Sequence, residues 1–192
     1  MRITGGQARG IPLVVPKGDA VRPATDAMRQ AVFSSLAAWV PGATFLDLFA
    51  GSGAYGLEAL SRGAAGGIFV EKDARTAACI RQNITTVCKS LSCGTAALQV
   101  INADATTVSV KTPPDLVFVD PPYEIIAGVA PKIFDRLTEI LASKQDPLIV
   151  FEMPGELTLS PAGWTCVKRF GKGARQPTVC LFRANRALPS AG

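Results

Sequence analysis

Apolar runs of about half a dozen residues recur along the chain at 44–49, 66–70, 97–101, 115–119, 147–152, 165–170 and 178–183, bounded by glycine, proline or charge. Runs of that length read as strands buried on both faces. Apolar positions around Leu57 and Leu60, across 74–89 and across 129–142 instead follow helical spacing. The resulting β-α-β alternation, with right-handed crossovers, places the earlier strands in one parallel sheet. The last two runs are separated only by 171–177, which suits an antiparallel hairpin. The prediction is an α/β fold with a seven-stranded, mostly parallel sheet and an antiparallel last strand.

Ahead of the first run, 1–16 reads as a small β-hairpin extension, with Gly5-Gly6 and Arg9-Gly10 in its turn region. It has too little apolar mass to stand alone and must pack on the remainder. A leading helix is predicted over 25–40, with Thr25 as N-cap and Asp26 at the positive end of the dipole. Met28, Ala31, Val32, Ser35, Leu36 and Trp39 share one face of it, and Pro41-Gly42 ends it. Arg22 and Arg29 fall off that face and read as surface charge. A single domain over 1–183 follows, with its core at 43–183 and a flexible tail at 184–192.

Composition removes whole classes of chemistry. Among 192 residues there is no histidine, which excludes histidine-based triads, histidine general bases and His-ligated zinc. Five cysteines without a C-x-x-C pair argue against a zinc site or a disulfide framework, so no metal is expected. The start carries no apolar signal-peptide core and no run is long enough to cross a bilayer, so a cytoplasmic protein is expected. Net charge is +5, unevenly spread: five basic and two acidic residues in 1–40, nine and thirteen in 41–159, six and none in 160–192. Basic ends around an acidic middle suit a polyanion held beside an acidic cleft.

The candidate chemistry lies where strands stop. The run at 116–119 ends on Asp120-Pro121-Pro122-Tyr123. Two prolines cannot donate, so the strand stops in a stiff corner that offers acceptors: the Asp120 carboxylate, the Pro121 and Pro122 carbonyls, and the face of Tyr123. Such a corner suits a planar exocyclic amine. If Asp120 and the Pro121 carbonyl take its two N–H groups, the nitrogen lone pair leaves the ring plane and points at an electrophile, while Tyr123 stacks on the base. The same four residues could also be a plain strand stop. Acids end the first and second strands as well, at Asp47 and Glu71, and Asp104 follows the third, so they gather along one sheet edge. Gly51-x-Gly53-x-x-Gly56 matches the dinucleotide fingerprint and keeps a hydride-transfer enzyme in play. Asp47 weighs against it, since a carboxylate there repels pyrophosphate and suits a ligand bearing ammonium and sulfonium groups.

The order Asp47-Leu48-Phe49-Ala50-Gly51-Ser52-Gly53, Glu71, Asp104, Asp120-Pro121-Pro122-Tyr123 resembles class I S-adenosylmethionine-dependent methyltransferases that act on exocyclic amines, with their Rossmann-like fold. Arg2-Ile3, Gly5-Gly6, Arg9-Gly10, Arg22-Pro23-x-Thr25, Arg29 and the stretch 56–64 narrow the resemblance to bacterial small-subunit ribosomal RNA guanine-N2 methyltransferases, over about 1–183. The resemblance implies S-adenosyl-L-methionine as cofactor. Asp47, Phe49, Ala50, Gly51, Ser52 and Gly53 would cradle its methionine part, Glu71 with Lys72 its ribose, and Asp104 with Ala105 its adenine. Asp120, Pro121, Pro122 and Tyr123 would hold the target guanine. Arg2, Arg9, Arg22, Thr25 and Arg29 would face small-subunit ribosomal RNA, alone or within an assembling 30S particle, the protein acting as a monomer. Gln30 and Tyr55 depart from the family pattern. Other readings at this point are another base amine as substrate, a nicotinamide oxidoreductase, or a non-catalytic RNA-binding domain.

Overall fold

The computed structural model describes residues 1–15, 23–171, 173 and 176–185, with side chains of the second segment from Asp26 onward. Strands β1 (Thr44–Leu48), β2 (Gly66–Glu71), β3 (Leu98–Asn102), β4 (Leu116–Val119), β5 (Leu148–Pro154), β6 (Trp164–Phe170) and β7 (Pro177–Ala184) form one sheet in the order β3-β2-β1-β4-β5-β7-β6. The first five run parallel, and β7 lies antiparallel between β5 and β6. The predicted sheet is therefore the observed one.

Side-chain alternation divides the core between the two faces of the sheet. Phe45, Phe69, Phe118, Leu148 and Val150 pack toward helices α1 (Pro23–Ser35), α2 (Ala54–Ser61) and α3 (Ala74–Leu91). Leu46, Leu48, Val117, Val119, Ile149 and Phe151 pack on the other side against α4 (Ile126–Ile140). That helix buries Ile126, Ala130, Ile133, Phe134 and Leu137, a single stripe at helical spacing. Each such large side chain contributes about 1.5–3 kcal/mol by burial. Gly56 lets α2 lie close on the sheet, for a Cβ there would stand 2.4 Å from Phe69 and 2.6 Å from Phe45.

The amino-terminal arm is hairpin-like and, among the described residues, makes one isolated ladder bridge, Arg2 with Pro12. Ile3, Ala8 and Leu13 sink into the core, and a set of polar bonds fixes the arm in place. The Thr4 N–H and hydroxyl donate to the two oxygens of Glu58 at 2.7 and 2.8 Å. The Ala8 N–H donates to Ser61 Oγ at 2.9 Å. Asn83, 1% exposed, accepts from the Val14 N–H and donates to the carbonyls of Val14 and Ser52, so the arm is tied both to α3 and to the turn after β1.

Helix α1 corrects two expectations. It begins at Pro23, so Thr25 lies inside its first turn and is not the N-cap; proline at the first position is preset for a helix and loses no hydrogen bond there. Its buried face is Arg29, Val32, Phe33 and Leu36, while Ala31 is exposed and Trp39, beyond the helix end at Ser35, is 37% exposed. The stripe turns because Phe33 joins an aromatic cluster, 5.5 Å from Phe118 and 6.2 Å from Tyr55 between ring centres. That rotation carries Arg29 inward to 3% exposure, where it meets Asp26 at 2.8 Å, Glu58 at 3.5 Å and the Arg2 carbonyl at 2.6 Å. It ties the arm to the core and does not present a charge to a polyanion.

Candidate active site

The carboxyl ends of the parallel strands meet at one edge, and each delivers an acid to it. After β1 the chain turns through Phe49, Gly51 and Gly53, with φ of 57°, 54° and 77°. Glycine accepts the left-handed region at little cost, whereas phenylalanine is strained there, as residues at functional turns often are. Ala50 is anchored by its N–H on the Val70 carbonyl at 3.0 Å, and the Gly53 N–H closes the turn on the Ala50 carbonyl at 2.6 Å. The outer side of Gly51 is open: a Cβ there would find only the Phe49 carbonyl, at 3.9 Å. Gly53 faces inward, where a Cβ would stand 3.3 Å from both Ile80 and Phe69.

Asp47 lies beneath this turn, 2% exposed, and accepts the Gly56 N–H at 2.9 Å. Burial pushes its carboxyl up to about 8; the Gly56 N–H opposes the shift, and the nearby Glu71 adds to it. The side chain expected to line the cleft thus braces α2 from below. Glu71, ending β2, accepts the Gly51 N–H at 3.0 Å and the Asp73 N–H at 2.8 Å, so the ribose candidate already grips the glycine turn. Ser52 departs from expectation: it is buried and its hydroxyl donates to Met1 Sδ at 3.1 Å, on the arm side of the turn.

Beyond β2, Lys72 and Asp104 pair at 3.0 Å. Thr106 donates to Asp104 from its hydroxyl at 2.6 Å and its N–H at 2.9 Å; with Lys72 these hold the carboxyl down at about 2. Ala105 beside it is buried in the α4-side core. Asn102, absent from the sequence reading, donates to the carbonyls of Glu71 and Lys72 at 2.9 and 2.8 Å and sets the spacing between the two acidic loops.

At β4 the Asp120 N–H reaches the Leu48 carbonyl at 3.4 Å, so the proline corner abuts the start of the glycine turn. Pro121 is buried, Pro122 is exposed in the extended conformation at φ −52°, ψ 132°, and Tyr123 is half-buried. The Pro122 carbonyl is not available as expected. It accepts the Ile125 N–H at 3.1 Å in a single 3-10 turn, Tyr123–Ile125, that runs into α4 three residues before the predicted helix start. Of the acceptors expected at the corner, the Pro122 carbonyl is thus engaged within the corner itself.

A fifth acid completes the edge. Glu152, in β5 and 8% exposed, accepts from the Tyr55 hydroxyl at 2.7 Å and from the Tyr123 hydroxyl at 3.5 Å. Burial raises its pKa against those hydroxyls and the charge of Arg29. Tyr55, stacked 5.5 Å from Phe118, is held well above the ordinary tyrosine value by burial and then by Glu152 and Asp120. The signal for Glu152 was present, since the run 147–152 ends on an acid as the neighbouring strands do.

Of the basic residues expected at the RNA, Arg2 and Arg9 are exposed and border a cleft of about 280 Å³ with Thr4, Gly10, Asp26 and Gln30. Arg22 lies outside the described residues, as does the side chain of Thr25. No helix among the described residues is long and apolar enough to cross a membrane.

An open glycine turn bordered by Asp47, Glu71, Asp104 and Asp120 fits a ligand carrying positive charge and hydroxyl donors, and this edge on this sheet defines a class I S-adenosylmethionine-dependent methyltransferase. The chain belongs to the family described as "Conserved hypothetical protein 95", whose model matches residues 1–181. It is 38% identical over 167 residues to ribosomal RNA small subunit methyltransferase D of Escherichia coli (strain K12), covering 86% of this chain and 81% of that one. The protein of the same name from Haemophilus influenzae is 33% identical over 174 residues, 88% of this chain and 86% of its own. The solved structure of a putative methyltransferase from Escherichia coli superposes with a TM-score of 0.76 at 34% identity, covering 96% of this chain and 97% of that one.

Proposed function

We propose that the protein methylates the exocyclic N2 of a guanine in small-subunit ribosomal RNA. The observation that carries this reading is the junction of Asp120 with the end of β1, which sets the acceptor corner beside the glycine turn. The names of the curated relatives support the substrate class.

S-adenosylmethionine supplies an electrophilic methyl group on a sulfonium. The open turn at Gly51 with Asp47 below would seat its methionine part, Glu71 its ribose and Asp104 its adenine amine, with Phe49, Ala50, Lys72 and Ala105 as walls. The Asp120 carboxylate and the Pro121 carbonyl accept the two N–H groups of the target amine and turn its lone pair out of the ring. Asp120 also stands ready to take the proton that N2 sheds as it is alkylated. Tyr123 stacks on the base, which must leave its helical stack to reach a recessed sheet edge. Arg2 and Arg9 hold phosphates on the arm side, with the contribution of Arg22 resting on the family resemblance. The arm, α1 and the sheet work as one catalytic unit, a cytoplasmic monomer acting on the RNA during assembly of the 30S particle.

The test is methyl transfer from radiolabelled donor to small-subunit RNA from cells lacking this gene, both naked and as 30S particles, followed by mapping of the modified nucleotide. A single N2-methylguanosine is expected. Label on an adenine, on a cytosine or only on protein contradicts the proposal.

A further inference from the structure

Asp120 and Pro121 explain how an amine is aimed but not why the amine should belong to guanine, since adenine and cytosine present the same two donors. Guanine differs at the neighbouring ring position. Its N1 carries a hydrogen, so its Watson–Crick edge offers N1–H beside the N2 amine, whereas N1 of adenine and N3 of cytosine are acceptors. A site for guanine therefore needs one more acceptor beside the corner.

Glu152 is in that position. The register Phe118 with Val150 and Val119 with Phe151 brings Asp120 opposite Glu152 on the neighbouring parallel strand, about 4.8 Å away along the sheet. Alternation sends both side chains to the same face, the one on which Phe118 and Val150 pack. Both carboxylates also act on the Tyr55 hydroxyl, which places them around a common point. Glu152 is buried, yet its two hydrogen bonds are unequal: 2.7 Å to Tyr55, which lies in the core, and 3.5 Å to Tyr123, which lies on the corner where the base must enter. The weak bond is the one an entering purine can replace, while the strong one keeps the carboxylate in place. Glu152 forms no ion pair among the described residues, so it keeps acceptor capacity for a donor on the substrate.

Resting on the reading of the site as a guanine-N2 methyltransferase, we propose that Glu152 accepts the N1–H of the target base and so makes the site specific for guanine. Tyr123 hands its place on Glu152 to the base as it moves to stack on the ring, and Tyr55 is the positioning residue that holds the carboxylate.

The probe is a small-subunit RNA carrying, at the modified position, either guanine or 2-aminopurine, which keeps the N2 amine but has a bare N1 acceptor. The wild-type protein is expected to favour guanine in kcat/KM by at least about 30-fold, since a buried acceptor facing an acceptor is strongly disfavoured. Glu152→Gln, whose amide can donate to the bare N1, should narrow that ratio to within about threefold, lowering the guanine rate and raising the 2-aminopurine rate. A merely structural role would lower both rates together; an unchanged ratio in the variant, or no preference in the wild type, overturns the assignment. Should Glu152→Gln not fold, Glu152→Asp keeps the charge but withdraws it from N1, and the same narrowing is expected or the assignment fails. Absence of transfer to guanine by the wild type would overturn the guanine-N2 reading itself, a result distinct from an unchanged ratio.

Discussion

Two regions of this molecule bury carboxylates, and they treat them in opposite ways. On the arm side Glu58, 0% exposed, has both oxygens occupied: Thr4 donates from N–H and hydroxyl at 2.7 and 2.8 Å, Arg62 at 2.8 Å and Arg29 at 3.5 Å. At the strand ends Asp47 has one backbone N–H and Glu152 has two tyrosine hydroxyls, and neither forms an ion pair among the described residues. The first arrangement closes on itself and fastens the arm and α1 to α2. The second leaves acceptor capacity at an edge where a cationic donor and a base must bind. Among the buried carboxylates, full pairing marks the scaffold and incomplete pairing marks the site.

Removing Glu58 should produce the largest loss of stability. Glu58→Ala removes the shared acceptor of the buried Arg29, the half-buried Arg62 and two Thr4 donors, and should cost about 3–5 kcal/mol in chemical denaturation. A loss under about 1 kcal/mol would show that the network is not what holds the arm. Asp47 should behave in the opposite sense. Its folded pKa of about 8 lies above the ordinary 3.8, so the unfolded chain ionises first and the fold loses stability as pH rises between those values. Asp47→Asn keeps an acceptor for Gly56 and should flatten that pH dependence, gaining about 1–3 kcal/mol at pH 8. Isothermal titration at about pH 9, where Asp47 is ionised, should show the same variant binding S-adenosylmethionine at least about tenfold more weakly. The smallest change belongs to the exposed arm: Arg9→Ala should leave stability within about 0.5 kcal/mol of wild type while reducing the salt slope of RNA binding by about 1. An unchanged slope would place the RNA elsewhere.

The contrast also explains what could be read in advance. The sheet was legible because buried parallel strands are continuous apolar runs, and the site edge because glycines and acids punctuate those runs at fixed places. Asp120, Glu71 and Asp104 all lie on that edge. The scaffold network was not legible. A glutamate or an arginine in a helix reads as surface until its partners, 54 residues away for Thr4 and Glu58, are known to meet it. Arg29 was misplaced for that reason. Glu152 was missed although it obeys the rule that exposed the others, because β5 runs on past it to Pro154 and it does not mark the strand's end. The Pro122 carbonyl was misjudged because its partner, the Ile125 N–H, depends on how α4 begins, and helix boundaries are the least certain part of any pattern reading.

The central claim is that the corner at Asp120 performs the chemistry while the neighbouring turn holds the donor. The direct test measures S-adenosylmethionine affinity and single-turnover methyl transfer to small-subunit RNA on the same preparation of Asp120→Ala. We predict donor affinity within about threefold of wild type and transfer reduced by at least about 100-fold. Transfer at the wild-type rate, or a loss confined to donor binding, would contradict the claim.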